Sequence, residues 1–220
     1  MGDASARDNG TKPGRGVCDA CLRARATCIC RWIVPQAHQV EVLILQHPLE
    51  VSNAKGSARL LHLSLPHSVL LVGEQFEDAA LRERLSGKHN LLLYPDSPDL
   101  RSLGIVAPPP LAPDALARPE GLRLVLLDGT WRKSRKMLYL NRALQALPRL
   151  PLRATPPSHY LIRRAHAPDQ LSTLEACCYA LMRLERDGAR LATLIDAFDG
   201  FVAQQQGYIK RRARDSVDDA

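Results

Sequence analysis

Short apolar runs along the chain alternate with stretches in which apolar residues recur every three or four positions. Four runs have the length and composition of buried strands, at 40–45, 69–72, 91–93 and 122–127. Five stretches have helical spacing or helix-capping residues, near 60–63 and over 78–85, 131–147, 172–184 and 191–206. This alternation predicts an α/β fold with a mainly parallel sheet flanked by helices, and with loops gathered at the carboxyl ends of the strands.

Composition divides the chain into four segments. These are a polar, glycine-rich flexible tail (1–16), a cysteine-rich knuckle (17–32), one α/β domain (33–208) and a basic, then acidic, tail (209–220). Within the domain, the proline-rich stretch 107–119 is typical of a connector, and 158–164 predicts a short strand. With 220 residues, 45% of them hydrophobic and 24% charged, the chain is long enough for one sizeable core.

The most informative feature is the end of the fourth predicted strand. Asp128 ends that strand, and Thr130 and Trp131 lead into a basic helix. The basic residues of that helix are Arg132, Lys133, Arg135 and Lys136. Open α/β sheets bind ligands at the carboxyl ends of their strands, so the segment predicts a binding or catalytic site. The alternative is that Asp128 or Thr130 only caps the helix, as Asp and Thr commonly do.

Four cysteines stand close together near the amino terminus with the spacing C-x2-C-x6-C-x-C. They are Cys18, Cys21, Cys28 and Cys30. Four thiolates can close a tetrahedral shell around a structural Zn²⁺, which a short segment without its own core needs as a staple. A redox pair and four unrelated thiols are the alternatives. Cys177 and Cys178, on a predicted helix, are expected to pack as small apolar residues.

The charge balance narrows the candidate partners. Lys plus Arg number 30 against 23 Asp plus Glu, which gives a formal net charge of +7. Arginine binds phosphate and stacks on bases, so this excess favours nucleic acid as a partner. No aliphatic run approaches the roughly 18 residues of a membrane span, and residues 1–15 lack the apolar stretch of a secretory signal. We therefore expect a cytoplasmic protein with reduced cysteines and no membrane contact.

Polar residues also follow the first predicted strand. His47, Pro48 and Glu50 form a turn directly after it, and Ser57 precedes the first predicted helix. A phosphate or carboxylate could bind here, although His47 as a buried imidazole and Ser57 as a helix cap are the simpler interpretations. The glycine-rich nucleotide loops and the serine elbow of hydrolases are absent from the sequence.

Taken together, five motifs resemble the DTW-domain family of tRNA-uridine aminocarboxypropyltransferases. They are C-x2-C-x-R-x4-C-x-C, His47-Pro48-x-Glu50, Leu93-Tyr94-Pro95, Asp128-x-Thr130-Trp131 and Leu171-Ser172-Thr173-x-Glu175-Ala176. The proline that often follows the arginine of the cysteine motif is Ala24 here. The resemblance implies a fold related to the knotted SPOUT methyltransferases, with S-adenosylmethionine bound at the carboxyl edge of the sheet. The knot follows from the resemblance alone, since knots are rare.

Carried over position by position, the resemblance implies a pocket for S-adenosylmethionine. Its residues would be Ser57, Leu93, Tyr94, Pro95, Leu127, Asp128, Leu171, Ser172 and Thr173. The implied reaction transfers the 3-amino-3-carboxypropyl group to N3 of a tRNA uridine. Asp128 is the only acid in the strongest motif and is assigned as general base, with Thr130 and Trp131 beside it. Trp131 would stack on a base or, alternatively, pack beneath the helix.

The same resemblance implies contacts with the phosphates of tRNA. The candidates are Arg132, Lys133, Arg135, Lys136, Arg163 and Arg164, together with the arginines of the knuckle. The alternative is that half of these charges form a solvated face. Two other functions stay open at this point, an RNA methyltransferase with the same donor and a non-catalytic, zinc-containing RNA-binding module. No self-association surface is evident in the sequence, which favours a monomer.

Overall fold

The computed structural model describes residues 16–95, 104–105, 107–111, 113–160, 162 and 170–218, with backbone alone at 115, 210 and 212–218. Within these residues the sheet has four strands, β1 (Glu41–Gln46), β2 (Ser68–Val72), β3 (His89–Leu92) and β4 (Leu122–Asp128). All pairs are parallel and the strand order is β2-β1-β4-β3. The prediction of a mainly parallel sheet is confirmed. Gln46 pairs with Asp128 at its carboxyl edge.

Helices flank the sheet on both sides. Those in the described chain are α1 (Ala58–Ser64), α2 (Asp78–Leu85), α3 (Trp131–Leu140), α4 (Arg142–Gln145), α5 (Thr173–Glu185) and α6 (Ala192–Asp218). Side chains cap several of their amino termini: Glu77 caps α2, Thr130 caps α3, and Ser172 with Glu175 forms a capping box at α5. The capping residues therefore set where these helices begin.

Two apolar cores lie on the two faces of the sheet. One core packs α1, α5 and α6 against the sheet, and the other packs α2, α3 and α4 against its opposite face. Strand β1 supplies Val42 and Ile44 to the first core, and Leu43 and Leu45 to the second. Because successive side chains of a strand point to opposite faces, the uninterrupted apolar runs of β1 and β4 fill both cores. Cys177 and Cys178 are fully buried in the first core, as predicted.

The predicted helix over 131–147 is divided in two at Asn141. The Asn141 side chain accepts the Phe76 backbone N–H at 2.8 Å and donates to the Glu74 carbonyl at 3.0 Å. These tertiary bonds tie the break to the loop after β2. A local sequence pattern gives no sign of them.

Two further predictions are wrong in their described parts. Helix α6 continues to Asp218 instead of ending at 206, since the Ala, Lys and Arg residues beyond Gly207 favour a helix. Residues 158–160 form no strand. The Glu175 carboxylate accepts hydrogen bonds from the Ser158 hydroxyl and the His159 N–H. These bonds to a side chain take the place of backbone pairing with another strand. The rest of that predicted strand lies mostly outside the described residues.

The cysteine-rich knuckle packs against α6. The Trp32 indole N–H donates to Gln204, and the indole ring covers Gly200, where a Cβ atom would overlap it. The Arg31 guanidinium lies over the Trp32 ring, with its Cζ atom 4.7 Å from the ring centre. A bulkier residue at 200 would therefore displace the knuckle. No helix in the described chain is long and apolar enough to cross a membrane.

Candidate active site and cysteine cluster

A cavity of about 390 Å³ opens at the carboxyl edge of the sheet, between β4, the segment after β3 and the start of α5. Six of the nine residues predicted to bind the donor line it: Leu93, Tyr94, Leu127, Leu171, Ser172 and Thr173. Thr130, Trp131 and Arg132 also line it. Its volume falls in the range of small-molecule sites, and its walls combine apolar side chains with a few hydroxyls. The parallel sheet brings these distant segments together.

The other three predicted donor-binding residues lie off the described wall of this cavity. Ser57 is buried, and its hydroxyl accepts the Leu174 backbone N–H at 3.3 Å, so it supports the start of α5. Its side chain makes no capping bond to α1. Pro95 is exposed. Asp128 lies behind Thr173, close to the wall without lining it.

Asp128 is buried where β1, β4 and α5 meet. Its Oδ2 accepts a hydrogen bond from Gln46 Nε2 at 2.8 Å, and its Oδ1 accepts one from Thr173 Oγ1 at 2.6 Å. Both donors satisfy acceptor positions of the buried carboxylate. Thr173 also lines the cavity, so a residue that bonds to the Asp128 carboxylate forms part of the cavity wall.

Thr130 and Trp131 have different local roles. The Thr130 hydroxyl accepts the Lys133 N–H at 3.4 Å, so the simpler interpretation, a helix cap, describes Thr130 but not Asp128. Trp131 is 50% exposed and stands edge-on to Tyr94, with ring centres 5.9 Å apart. Burial raises the pKa of Tyr94. The indole is therefore a partly open wall of the cavity and does not pack beneath the helix.

The turn after β1 is bonded to the Asp128 segment. The His47 N–H donates to the Asp128 carbonyl at 2.9 Å. The Leu49 N–H donates to His47 Nδ1 at 3.1 Å, so the hydrogen of Nε2 points at Glu74 Oε1, 2.8 Å away. The Lys136 ammonium, and then His47, lower the pKa of Glu74. His47 is thus a buried imidazole that fixes the turn, as the simpler interpretation predicts.

The basic side chains of α3 are of two kinds. Lys133 Nζ lies 2.7 Å from Glu50 Oε1, and Lys136 Nζ lies 2.7 Å from Glu74 Oε2. Arg132 and Arg135 are exposed. Ion pairs within the protein thus occupy the two lysines, whereas the two arginines face solvent. The other predicted phosphate-binding residues, Arg163 and Arg164, lie outside the described residues.

The four cysteines of the knuckle converge. Their Sγ atoms all lie within 4.8 Å of one another, with 3.5 Å between Cys18 and Cys30 and 3.7 Å between Cys21 and Cys28. A tetrahedral Zn²⁺ with Zn–S bonds of about 2.3 Å needs sulfurs roughly 3.8 Å apart, so the cluster fits this ion. Backbone N–H groups of Cys21 and Ala20 lower the pKa of Cys18 to about 6, while desolvation raises the pKa of Cys30 to about 12. A bound cation would be needed to bring all four to the thiolate form.

Arg23, inside the cysteine motif, connects the knuckle to the site. It donates to the Ala54 carbonyl at 2.6 Å and to the Gly56 carbonyl at 2.9 Å, and it lies 5.3 Å from the ring centre of Phe201. Burial lowers the pKa of its guanidinium. The arginines of the knuckle were expected to contact phosphates of tRNA. Arg23 instead donates to carbonyls of the loop that leads into Ser57.

Gln46 and Tyr160 are among the residues of the site that sequence reasoning missed. Gln46 is visible in retrospect as a polar residue ending an apolar strand, but its partner Asp128 follows only from the strand order. Tyr160 lines the cavity and donates its hydroxyl hydrogen to the Lys55 carbonyl. No local pattern marks Tyr160.

Comparison with known proteins places this site in a family. The model of the DTW domain matches residues 15–206. Two proteins named tRNA-uridine aminocarboxypropyltransferase 2 match 82% of the chain. The mouse protein is 27% identical over 188 residues, 60% of its own length, and the Drosophila melanogaster protein is 31% identical over 191 residues, 71% of its length.

A third relative, tRNA-uridine aminocarboxypropyltransferase A of Arabidopsis thaliana, is 26% identical over 143 residues, which is 56% of this chain and 50% of that protein. The chain therefore spans only part of the length of these relatives. No solved structure matches it. The family model covers nearly all of the described chain, including the cysteine cluster and the Asp128 segment, and the chain belongs to the DTW-domain family.

Proposed function

We propose that this protein transfers the 3-amino-3-carboxypropyl group of S-adenosylmethionine to N3 of a uridine in tRNA. The observation that carries the proposal is the cavity beside the buried Asp128, which Thr173 joins to the carboxylate. The names of the mouse and Drosophila relatives, which match most of the chain, support this reaction.

The lining suggests how the donor is oriented. Leu93, Leu127 and Leu171 offer apolar walls to an adenine. Thr173 lines the cavity and gives its hydroxyl hydrogen to Asp128, and its oxygen is the proposed acceptor for the ammonium of the aminocarboxypropyl arm. The arm that moves is then held next to Asp128, and the methyl group points elsewhere.

The reaction is then mainly one of orientation. Three carbons flank the sulfonium sulfur, and the one in line with the nucleophile is transferred. The bond from sulfur to the arm breaks, a bond from uridine N3 to that carbon forms, and methylthioadenosine leaves. The N3 proton passes to Asp128, the general base, which Gln46 and Thr173 orient. Thr130 and Trp131 shape the space around this step.

We propose that the cysteine cluster binds a structural Zn²⁺. The convergence of the four sulfurs supports this, as does the lack of a separate apolar core in so short a segment. The ion would keep the knuckle folded against α6 and so keep Arg23 on the loop before Ser57.

For tRNA, Arg132 and Arg135 are the proposed phosphate contacts of the described helix, together with Arg163 and Arg164. Lys133 and Lys136 would act indirectly, by pairing with Glu50 and Glu74. Such contacts should make tRNA affinity fall steeply as salt rises. A knotted, SPOUT-related fold stays part of the proposal on the strength of the resemblance. A cytoplasmic location and a monomeric state, expected from the sequence, also stay part of it.

The deciding experiment identifies the product. Purified protein is incubated with S-adenosylmethionine and unmodified tRNA, and the nucleosides and small by-products are analysed by mass spectrometry, with tRNA omitted as the control. We expect aminocarboxypropyluridine together with methylthioadenosine. Methylated nucleoside with adenosylhomocysteine would instead establish a methyltransferase. Retained tRNA binding with no modified nucleoside would establish a binding module.

A further inference from the structure

Arg132 differs from the other basic residues of α3 in its position. It lines the cavity at the carboxyl edge of the sheet, whereas Lys133, Arg135 and Lys136 do not belong to the described wall. Among the described residues of that wall, Arg132 alone carries a charge. Since Arg132 is also exposed, its side chain belongs to the part of the wall that is open to solvent. The cavity therefore offers one cationic group to a ligand.

The charge of Arg132 is not neutralised by an ion pair inside the described protein. Both lysines of the helix, Lys133 and Lys136, are held by glutamates at 2.7 Å. No ion pair of Arg132 is found in the described part of the chain. A guanidinium carries its N–H donors in a rigid plane that matches the two oxygens of a carboxylate. Arg132 is thus suited to an anionic group of a molecule bound in the cavity.

The proposed donor carries such a group. The aminocarboxypropyl arm of S-adenosylmethionine has one ammonium and one carboxylate, and Thr173, bonded to Asp128, is the proposed acceptor of the ammonium. The ionised Asp128, as the proposed base, would repel the carboxylate of the arm. Thr173 begins α5 and Arg132 lies on α3, and these helices pack on opposite faces of the sheet. The two polar groups therefore approach the arm from different walls.

We propose that Arg132 binds the carboxylate of the donor's aminocarboxypropyl arm and makes the site selective for a donor that carries this group. The inference rests on the proposed function, because it takes S-adenosylmethionine as the occupant of the cavity. It narrows the phosphate contacts proposed on α3 to Arg135. With its ammonium at Thr173 and its carboxylate at Arg132, the arm is held at two points, which fixes the carbon of the sulfonium that faces the nucleophile.

The test compares three ligands that differ only in the arm. S-adenosylmethionine has the complete arm, decarboxylated S-adenosylmethionine lacks the carboxylate, and methylthioadenosine lacks the whole arm. Isothermal titration calorimetry measures the affinity of each ligand for wild type and for Arg132→Gln, which removes the charge and keeps a polar side chain. We expect Arg132→Gln to bind S-adenosylmethionine about tenfold more weakly, since charge-assisted hydrogen bonds are lost. It should bind the other two ligands as wild type does.

Three further variants serve as controls. Arg142→Gln loses the same charge at an exposed position of α4, outside the cavity, and should bind all three ligands and tRNA as wild type does. Arg132→Lys keeps the charge without the planar donor group and should recover part of the lost affinity. Arg135→Gln should weaken the binding of tRNA in filter binding and leave the affinity for S-adenosylmethionine unchanged.

Equal losses for all three ligands in Arg132→Gln would show that this side chain only shapes the wall, and would overturn the inference. Wild-type affinity for S-adenosylmethionine together with weaker binding of tRNA would make Arg132 a phosphate contact and would also overturn it. Because Arg132 is exposed, the variant should keep the melting temperature of wild type. Calorimetry needs no turnover, so a wild type that binds S-adenosylmethionine without transferring the arm would contradict the proposed function alone.

Discussion

The cysteine cluster and the cavity at the sheet edge are built in opposite ways. All four sulfurs of the cluster come from one short segment, Cys18 to Cys30, and their spacing alone indicates a metal site. The cavity takes its walls from segments far apart in the chain, after β3, at the end of β4 and at the start of α5. The cysteine cluster is therefore formed by residues close together in the sequence. The cavity forms only because parallel strands end at the same edge of the sheet.

Arg23 joins these two regions. It belongs to the cysteine motif, yet its guanidinium donates to carbonyls of the loop that leads into Ser57, and Ser57 bonds to the first turn of α5. The local region thus supports the assembled one through a chain of contacts. Four changes test how independent the two regions are, beginning with the largest expected effect.

Cys21→Ser should release the metal and unfold the knuckle, because the other three thiols cannot close a tetrahedral shell. Loss of the ion would remove on the order of 10 kcal/mol of local folding free energy. Metal analysis and limited proteolysis of residues 16–32 measure it. Cys177→Ala, at a buried cysteine outside the cluster, is the control and should keep the metal. An unchanged metal content in Cys21→Ser would contradict the metal site.

Asp128→Asn should lower the turnover of tRNA by about 10²–10⁴-fold, since an amide cannot accept the N3 proton. Affinity for S-adenosylmethionine should change much less, because the cavity wall is made by other residues. Single-turnover kinetics and donor titration separate the two effects. Thr173→Ser keeps the hydroxyl bond to Asp128 and should stay close to wild type. Near-normal turnover of Asp128→Asn would rule out its role as base.

Arg23→Lys should destabilise the protein by about 2 kcal/mol, because a lysine cannot donate to the Ala54 and Gly56 carbonyls at once. Affinity for S-adenosylmethionine should fall with it, while the metal content stays the same. Denaturant unfolding and donor titration measure both, with the exposed Arg25→Lys as control. A donor affinity equal to wild type would show that the two regions are independent.

The smallest effect concerns the segment that carries Tyr160. The hydrogen bond from His159 to Asp199 raises the pKa of His159. A pKa raised in the folded state stabilises the protein below the unfolded value of about 6.5, and this contribution is lost as pH rises through the folded value. The pair is nearly half exposed, so it should contribute less than about 1 kcal/mol.

Comparing wild type with Asp199→Asn by urea unfolding at about pH 5.5 and about pH 9 tests this sign. Asp199→Asn should be less stable than wild type at the lower pH and equal to it at the higher one. A difference that grows as pH rises would contradict the assignment. The change should leave the cavity unaffected.

Much of the fold could be predicted from residue patterns. The apolar runs of β1 and β4, the extent of α2, the cap of α5 and the position of Asp128 at a strand end follow from short-range periodicity and side-chain chemistry. The break at Asn141 and the irregular backbone at 158–160 could not be predicted. Both depend on a side chain bonding to a segment distant in sequence, Asn141 to the loop after β2 and Glu175 to residues 158 and 159.

The same division applies to the candidate site. Leu93, Tyr94, Leu127 and the residues before α5 were expected at the pocket, and they line it. Gln46 was not expected, because only the pairing of β1 with β4 places its amide on Asp128. Lys133 and Lys136 were expected among the phosphate contacts, but the structure pairs them with Glu50 and Glu74.

By itself, the amino-acid sequence determined most of the elements, the metal-type spacing of the cysteines and the strand that ends in Asp128. These depend on contacts within about one turn or one strand, which the chain encodes by neighbouring residues. The tertiary structure alone decided the strand order β2-β1-β4-β3. That order placed Gln46 on Asp128, and the packing of α5 against the sheet placed Thr173 there with the cavity beside it. Which strands pair, and where a helix packs on them, depends on the whole core and not on neighbouring residues.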